Sequence, residues 1–569
     1  MTSKREIARV MREIAFFLRL KGENAYKARA YEKAAFALLH APHEATELVS
    51  AGILKDVPGI GPATSTVIAD LVTLGESSLH RELQGDFPAS LVELDAVPGL
   101  SIKQILRLYR RADVRSLEDL RRACHENRLI AIPGLGPKLQ TKLLAALGEY
   151  ERGQGFQLYA NVLVEAEQVE AALRAMHDVE SVTLTGAIRR KLEVVDELCF
   201  VMTLNPPATA ADLAEYMRAI PNITEVACKD QTIIASSPSG LPIVINTTRR
   251  QVYGRALWQA TGNAEHLMQM RQRFIAHGLQ ESDLDGEEEA DIYRRVGLSF
   301  IPPELREGRG EIEHAESAQP PQLLDTSHIQ GCFHLHTDYT DGADTIEAMV
   351  AASRRHGYRY VGLSDHSQSA FYVNGLKEDR IRAQWQEIDA VQKKYPDVHI
   401  FKGIEADILP DGAMDYSDDL LAQFDFVIAS VHSRFNLSED DQTRRICRAL
   451  ANPYVTILGH PTGRLLLSRP GYRVDMTELI KTAAEHGKLI EINGSRYRLD
   501  LDWRWARIAK TYGVRFCVSP DAHAVTEFSN VALGVNVARK AGLGTADVVN
   551  TWPLGEMENF LRARHSIVT

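Results

Sequence analysis

Over the first 150 residues, apolar positions recur three and four apart and are broken by short Pro-Gly turns. Near the N-terminus, "REIARVMREIAFFLRL" is apolar at helical spacing but interrupted by Glu6, Arg9, Arg12 and Glu13. That pattern predicts an amphipathic helix rather than a signal peptide. Three turns resemble one another: "LKDVPGIGPATSTVIADL" from Leu54, "LDAVPGLSIKQILRLY" from Leu94 and "LIAIPGLGPKLQTKLLAAL" from Leu129. Each runs from an apolar residue through Pro-Gly and a second small turn into an amphipathic helix, an irregular internal repeat of about 35–40 residues. From Gly155 the pattern shifts toward strands. "QLYANVLVEA", "SVTLTGA", "ELCFVMTL", "TEVACKD", "QTIIASS" and "LPIVINTT" read as strands among helical stretches. "EGRGEIEHAESAQPPQLLDTSHIQ" is charged, then Pro-rich, and reads as a linker. From Gly331, "YVGLSDH", "HIFKGIEAD", "FDFVIASVH", "VTILGH", "KLIEING" and "RFCVSPDAH" alternate with helices, which predicts a parallel barrel.

These shifts predict a multidomain chain. Two all-α regions occupy 1–90 and 91–155, a mixed α/β domain 156–310, a linker 311–330 and a (β/α) barrel 331–569. A length of 569 residues accommodates this, at about 100–200 residues per domain. The net charge of −11 argues against a generally basic DNA coat, but it is unevenly placed. Residues 1–150 hold 21 Lys and Arg against 18 Asp and Glu, so this region alone leans basic. Cysteines at 124, 199, 228, 332, 447 and 517 form no Cys-x-x-Cys pair, which disfavours zinc ribbons and fits a reduced, cytoplasmic setting. No apolar run approaches the length of a membrane span.

The Pro-Gly-x-Gly turns expose backbone N–H groups at the positive end of a helix dipole, a seat for phosphate. Gly59 and Gly61, and Gly134 and Gly136, permit close backbone approach; in the middle copy Ser101 replaces the second Gly. Such helix-hairpin-helix motifs hold the DNA backbone without reading sequence.

"GAIRRKLEVVDELCFV", with "LPIVINTT" and "WQATGNAEHLMQMRQRFIAHGL", resembles the palm and thumb of a bacterial X-family DNA polymerase. "GENAYKARAYEKAA" and the hairpins resemble that family's N-terminal and fingers regions, and "LSFIPPELREGRGEIEHAE" its approach to the linker. The resemblance implies three Asp holding two Mg²⁺ for nucleotide addition. The matching places are Glu197, Cys199 and Val244, so one carboxylate survives and the polymerase site reads as degenerate. Asp196 would face the other side of the strand, and Glu193 would need its loop to fold back. Arg189, Arg190 and Gly262, in the turn Thr261–Asn263, match family contacts to nucleotide and read as vestigial. Val67, with Ala63 nearby, stands where the family often carries a Lys able to form a Schiff base, chemistry closed to valine.

The C-terminal part offers His334, His336 and Asp341 in "HLHTDYTDG", His366 in "GLSDHS", Glu405 in "KGIEAD", His432 in "ASVHS", His460 in "ILGHP", and Asp521 and His523 in "SPDAH". Each group lies at or just beyond the C-terminal end of a predicted strand, where barrel strands converge. Six His among nine candidates suit Mn²⁺, Zn²⁺ or Fe²⁺ better than Mg²⁺ alone. The pattern resembles the PHP (polymerase and histidinol phosphatase) domain. The resemblance implies up to three ions: one on His334, His336, Glu405 and Asp521; a second bridged by Glu405 to His432 and His460; a third on Asp341, His366 and His523. Asp365 and Ser364 are expected behind these ligands or in turn capping, and Arg434 at a substrate phosphate or in a surface ion pair.

The resulting expectation is a monomeric, DNA-binding metallophosphoesterase with a Mn²⁺-dependent 3′–5′ exonuclease or 3′-end phosphatase/phosphodiesterase activity in DNA repair. Its substrates would be gapped, nicked or 3′-recessed DNA. The alternatives are weak gap-filling synthesis through Glu197, a small-molecule phosphatase, or a non-catalytic DNA scaffold.

Overall fold

The computed structural model describes residues 4–566 apart from 42, 58, 96, 98–99, 131, 154, 221–222 and 318–320. It divides into two compact units, residues 1–154 with 467–469, and residues 155–466 with 470–569.

The first unit is helical. Lys4–Lys21 and Ala25–His40 pair over a core that includes Met11, Ile14, Phe17 and Leu38. Pro62–Thr73, Ile102–Ala112 and Pro137–Gly153 are the helices that follow the three turns. Pro98 and Gly99 of the middle turn lie outside the described residues. Ser101 caps its helix there: its Oγ accepts the Gln104 N–H, and Gln104 Oε1 in turn accepts the Ser101 N–H at 2.9 Å. That reciprocal cap satisfies both amides within the helix start. Val67 is a core residue of Pro62–Thr73, which accounts for valine there.

The second unit opens with a five-stranded sheet. Leu198–Leu204 lies between antiparallel Val179–Thr185 and parallel Pro242–Thr248, followed by Thr232–Ser236 and Thr224–Lys229. One sequence expectation fails in this region. "QLYANVLVEA" contributes only the two-residue strand Gln157–Leu158 before the helix Tyr159–Arg174. The buried side chains Tyr159, Val162, Ala166, Val169 and Leu173 are spaced three and four apart, a helical stripe that outweighs β-branched content. The presumed linker is also partly folded. Glu311–Ser317 is a helix whose buried Glu311 accepts the Gly308 and Arg309 N–H groups and pairs with His266 at 2.8 Å. Residues 318–320 of that segment lie outside the described residues.

The C-terminal region is a parallel sheet of seven strands in spatial order Phe516–Ser519, Leu489–Asn493, Ile457–Leu458, Phe426–Ser430, His399–Asp407, Tyr360–Leu363 and Gly331–Leu335. A parallel bridge from Leu335 to Ala522 brings its two edges together, so the barrel nearly closes. Both faces are buried, and the strands therefore read as continuous apolar runs. Phe333, Tyr360, Phe401 and Phe426 fill one end of the interior. Gly362 and Gly403 make room for them: a Cβ at Gly403 would lie 2.1 Å from Phe426. The opposite end, at the strand C-termini, is polar.

Candidate metal centre

His334 and Glu405 lie within their strands, while His336, His366, His432, His460, Asp521 and His523 follow strand ends by one to four residues. The topology thus gathers all eight, and Asp341 from the loop after His336, at one barrel mouth. Glu405 is the hub. Its Oε1 lies 2.9 Å from His460 Nε2 and 3.2 Å from both His334 Nε2 and His432 Nε2. Its Oε2 lies 2.8 Å from His366 Nδ1 and 3.7 Å from His336 Nε2. Asp521 Oδ1 stands 3.5 Å from His334 and 3.4 Å from His336, and Asp341 Oδ1 3.6 Å from His366 and 3.5 Å from His523.

Four groups of donors are close enough to share an ion: His334–His336–Asp521, His334–Glu405–His460, His366–Glu405–His432, and His336–Asp341–His366–His523. The partition differs from the one the resemblance implies. His432 groups with His366, His460 groups with His334, and His336 also stands with the Asp341 group, because Glu405 is central enough to serve every neighbour. The donor set fits transition-metal ions. His334 Nε2, both ring nitrogens of His336, His366 Nδ1, His460 Nδ1 and Glu405 Oε2 are buried, and despite close approaches such as His366 Nδ1 to Glu405 Oε2 none makes a well-directed hydrogen bond among the described residues. Such orphaned donor atoms, aimed at one another, are costly unless a cation binds them. The backbone carries strain here too: His334, His460 and Asp521 all sit in the left-handed region, at φ 64°, 21° and 50°.

Behind these side chains stand residues that sequence reasoning passed over. Glu491 is fully buried, 2.5 Å from His334 Nδ1, and its other oxygen accepts the His460 N–H at 2.6 Å. Asp407 lies 2.6 Å from His432 Nδ1. Each carboxylate can hold its imidazole proton on Nδ1 and leave Nε2 facing the centre. The only sequence signal was an acid inside an otherwise apolar strand, "LIEIN". Asp365 accepts hydrogen bonds from Thr337 N–H at 2.8 Å, Thr337 Oγ1 at 2.6 Å and Gln384 Nε2 at 2.6 Å, binding the loop after His336 to the next strand. Arg434 is exposed, at φ 56°, two residues beyond His432.

Charge is sharply divided among the histidines. Burial pushes His336 down to about 3, helped by His523 and His366, so it is neutral at pH 7. Burial opposes protonation of His432 as well, but Glu405 and Asp407 raise it to about 10; His523 is raised to about 9 against burial by Asp341 and Asp521. Their protonated forms stabilise the metal-free fold fully below the unfolded histidine value, about 6.5. That stabilisation is lost as pH rises through about 9 to 10. A metal ion must displace those protons. Adding Mn²⁺ or Zn²⁺ to metal-free protein at pH 7 in weak buffer is expected to release protons. Affinity should rise about tenfold per pH unit for each proton displaced. Affinity independent of pH between 6.5 and 8 would contradict this.

The three positions that the resemblance matches to a nucleotidyl-transfer site lie side by side. Cys199 and Val244 are paired across adjacent strands, and Cys199 Sγ donates to Glu197 Oε1 at 3.0 Å. Burial and Glu197 push the Cys199 thiol up, which keeps it protonated. Asp196 and Glu197 are exposed. Glu193 does not turn back toward them; it is buried and accepts from Arg504 at 3.2 Å. Arg189 is bidentate to Glu289, at 3.0 and 2.7 Å, and also donates to Thr261 Oγ1 at 2.7 Å. Arg190 donates to Glu307 at 3.0 Å and to the Thr261 carbonyl at 2.8 Å. A side chain at Gly262 would press His266 at 2.9 Å. All three residues thus have internal roles.

A seven-stranded parallel barrel with a histidine-rich mouth defines a PHP domain, and residues 333–495 match that family. Residues 2–77 match the helix-hairpin-helix domain and 91–149 the SAM-like helix-hairpin-helix tandem. Over 98% of this chain and 99% of the relative, 34% of residues are identical to the DNA polymerase/3′-5′ exonuclease PolX of Bacillus subtilis. The chain belongs to the PolX family. The chain is also 29% identical over 248 residues to a probable phosphatase of Thermoanaerobacter sp., covering 41% of this chain and 94% of that protein. A probable phosphatase of Caldicellulosiruptor saccharolyticus is likewise 29% identical, over 40% and 92%. Among the described residues no helix is long and apolar enough to cross a membrane.

Proposed function

We propose that this chain is a DNA-binding phosphoesterase whose PHP centre hydrolyses 3′ ends, as a 3′–5′ exonuclease or 3′-end phosphatase, and whose nucleotidyl-transfer site no longer supports templated synthesis. The observation that carries this reading is Glu405 within 3.7 Å of five histidines. His334, His336, Asp341, His366, Glu405, His432, His460, Asp521 and His523 would hold up to three ions, Mn²⁺, Zn²⁺ or Fe²⁺. Bound there, the ions would supply water of lowered pKa and charge neutralisation for a phosphate. Glu491 and Asp407 orient their imidazoles, Asp365 fixes the loop that follows His336, and neutral His336 presents a lone pair without first losing a proton.

A polymerase site needs a cluster of carboxylates for its two ions. One exposed carboxylate beside a protonated thiol and a valine does not provide it. Incubation in Mn²⁺ with 3′-recessed, 3′-phosphate and abasic DNA, with and without nucleotides, separates the readings. Release of nucleotide or phosphate without primer extension is expected. Robust extension that Glu197→Ala abolishes would overturn it. The small-molecule phosphatase reading draws on relatives that align with only 41% and 40% of the chain. It predicts turnover of phosphomonoesters and none of DNA ends.

The family and its hairpin domains imply DNA as the partner, held at Gly59, Gly61, Gly134 and Gly136. The four differ in structure. Gly134 has φ 84° and a Cβ there would lie 2.2 Å from Arg107 Nη1, so its substitution disturbs the fold. The Gly61 N–H is already donated to Thr64 Oγ1 at 2.9 Å. Gly136 has nothing within 4 Å of its Cβ position and no positive φ. Gly136→Val therefore tests backbone approach alone. It should weaken binding of the full chain to short duplexes severalfold, in a salt-dependent manner and with little change in melting temperature. Unchanged affinity would exclude this turn as a phosphate seat.

A further inference from the structure

Five residues beyond His366, at the rim of the metal centre, two aromatic side chains project into solvent. Phe371 is 84% exposed and Tyr372 62%, the greatest exposure of any large apolar side chains in the barrel region described. Their rings meet edge to face, 5.8 Å apart at 84°. The loop that carries them is fixed. Leu376 N–H donates to the His366 carbonyl at 2.9 Å, and Gly375 N–H to the Ala370 carbonyl at 3.1 Å. Asn374 Nδ2 donates to the Tyr339 carbonyl at 3.3 Å, and Arg380 to the Asn374 carbonyl at 2.6 Å. Ala370 is buried beneath the rings' turn, and Gly375 lies so close to Ser367 that a Cβ would stand 2.0 Å from its carbonyl oxygen. This anchored loop leaves both rings exposed. Although Tyr372 is largely exposed, the part of it that is covered raises its hydroxyl pKa, and the nearby carboxylates of Asp407, Glu405 and Asp341 raise it further. Arg498, the counteracting cation at Tyr372, lies 3.4 Å from Asp521.

A phosphomonoesterase for small molecules needs only the metal centre and a cation. Two exposed rings on an anchored loop beside a phosphate-cleaving site suit a substrate with a flat aromatic group one sugar away from the scissile phosphate. We propose that Phe371 and Tyr372 form a stacking platform for the terminal base of an unpaired 3′ DNA end, with Arg498 facing its phosphate. Stacking has no sequence preference, because every base presents a π-face. It requires the base to be unpaired, so the platform selects frayed or single-stranded ends over blunt duplex. This inference rests on the hydrolase reading above and specifies its substrate.

The test uses the full chain and a single-stranded oligonucleotide ending in 5-iododeoxyuridine. Irradiated with Ca²⁺ in place of Mn²⁺ to prevent turnover, this end should crosslink to the peptide containing Phe371 and Tyr372. With Mn²⁺, Phe371→Ala/Tyr372→Ala should raise KM for the unmodified strand about tenfold, with kcat little changed. Phe371→Tyr/Tyr372→Phe should restore it. An oligonucleotide whose 3′-terminal residue lacks its base should be cleaved equally by parent and double alanine variant. A crosslink elsewhere, or a double variant with the parent's KM on both substrates, overturns the platform while leaving the hydrolase reading intact. The expected crosslink in a chain that cleaves no DNA end would overturn the hydrolase reading and retain the platform.

Discussion

Glu405→Ala is expected to abolish 3′-end hydrolysis, by at least about a thousandfold, and to remove metal from the protein. Losing a group that orders two ions forfeits several kcal/mol of transition-state stabilisation, at about 1.4 kcal/mol per tenfold. The side chain is central in a stronger sense than sequence suggests, since its two oxygens reach five imidazoles. Its removal also leaves those rings without their shared counter-charge, and two of them, His334 and His432, are held, against burial, well above the usual imidazole value by neighbouring carboxylates. Elemental analysis should show the parent with more than one transition-metal ion per chain and the variant depleted. Asp407→Asn gives a graded contrast: His432 loses the carboxylate that orients it, and metal affinity should fall about 10–100-fold while activity returns at high Mn²⁺. A Glu405→Ala variant with full metal content and full activity would remove the basis for placing the chemistry in the barrel.

The second large effect concerns stability. Glu289→Ala is expected to destabilise the second unit by about 3–5 kcal/mol, the usual consequence of leaving a buried charge unpaired. Glu289 is 6% exposed and Arg306 fully buried. Arg306 donates to Glu289 and to the Ile301 carbonyl at 2.9 Å, and its guanidinium lies 5.2 Å from the centroids of both Tyr293 and Phe300. Burial works against the Glu289 charge, but Arg306 and Arg189 hold its carboxyl below the usual range. A depressed value means stabilisation that is present above the unfolded carboxylate value, about 4.3, and is lost as pH falls below it. Thermal melting at pH 7 should show the variant's transition several degrees lower, with the difference narrowing at pH 4. Hydrolysis by the still-folded variant at low temperature should be unchanged. An unaltered melting transition would show that this ion cluster is not structural and reopen a nucleotide-binding role for Arg189.

The same cluster gives the Arg-Arg motif a role within the fold that needs no metal carboxylates. Arg189 ties the sheet to the helical segment around Glu289, and Arg190 donates to Glu307, which also receives Lys540 from the barrel. A pair that reads in the sequence as a vestigial match to nucleotide contacts is committed to carboxylate partners 100 or more residues away. Nothing local announces those partners.

What the sequence by itself determined is the class of element and the chemistry of the mouth. Apolar runs ending in His, Asp or Glu specify strands whose C-termini converge, because a parallel barrel has one such end. The nine ligand candidates were legible for that reason. The hairpin glycines and positions 197, 199 and 244 could be singled out as candidates because each has a fixed local offset within the motif it resembles. Helix and strand were confused at "QLYANVLVEA", where β-branched content masked a stripe of period 3.6 that matters only once there is a core to face. The tertiary structure alone decided the rest: Glu405 as common neighbour to five rings, Glu491 and Asp407 as their orienting acids, Glu289 as the partner of Arg189, and Phe371 and Tyr372 turned outward. Local pattern reports which residues can be buried. Which buried atoms meet depends on strand register and loop anchoring, and these are set by contacts between segments far apart in the chain.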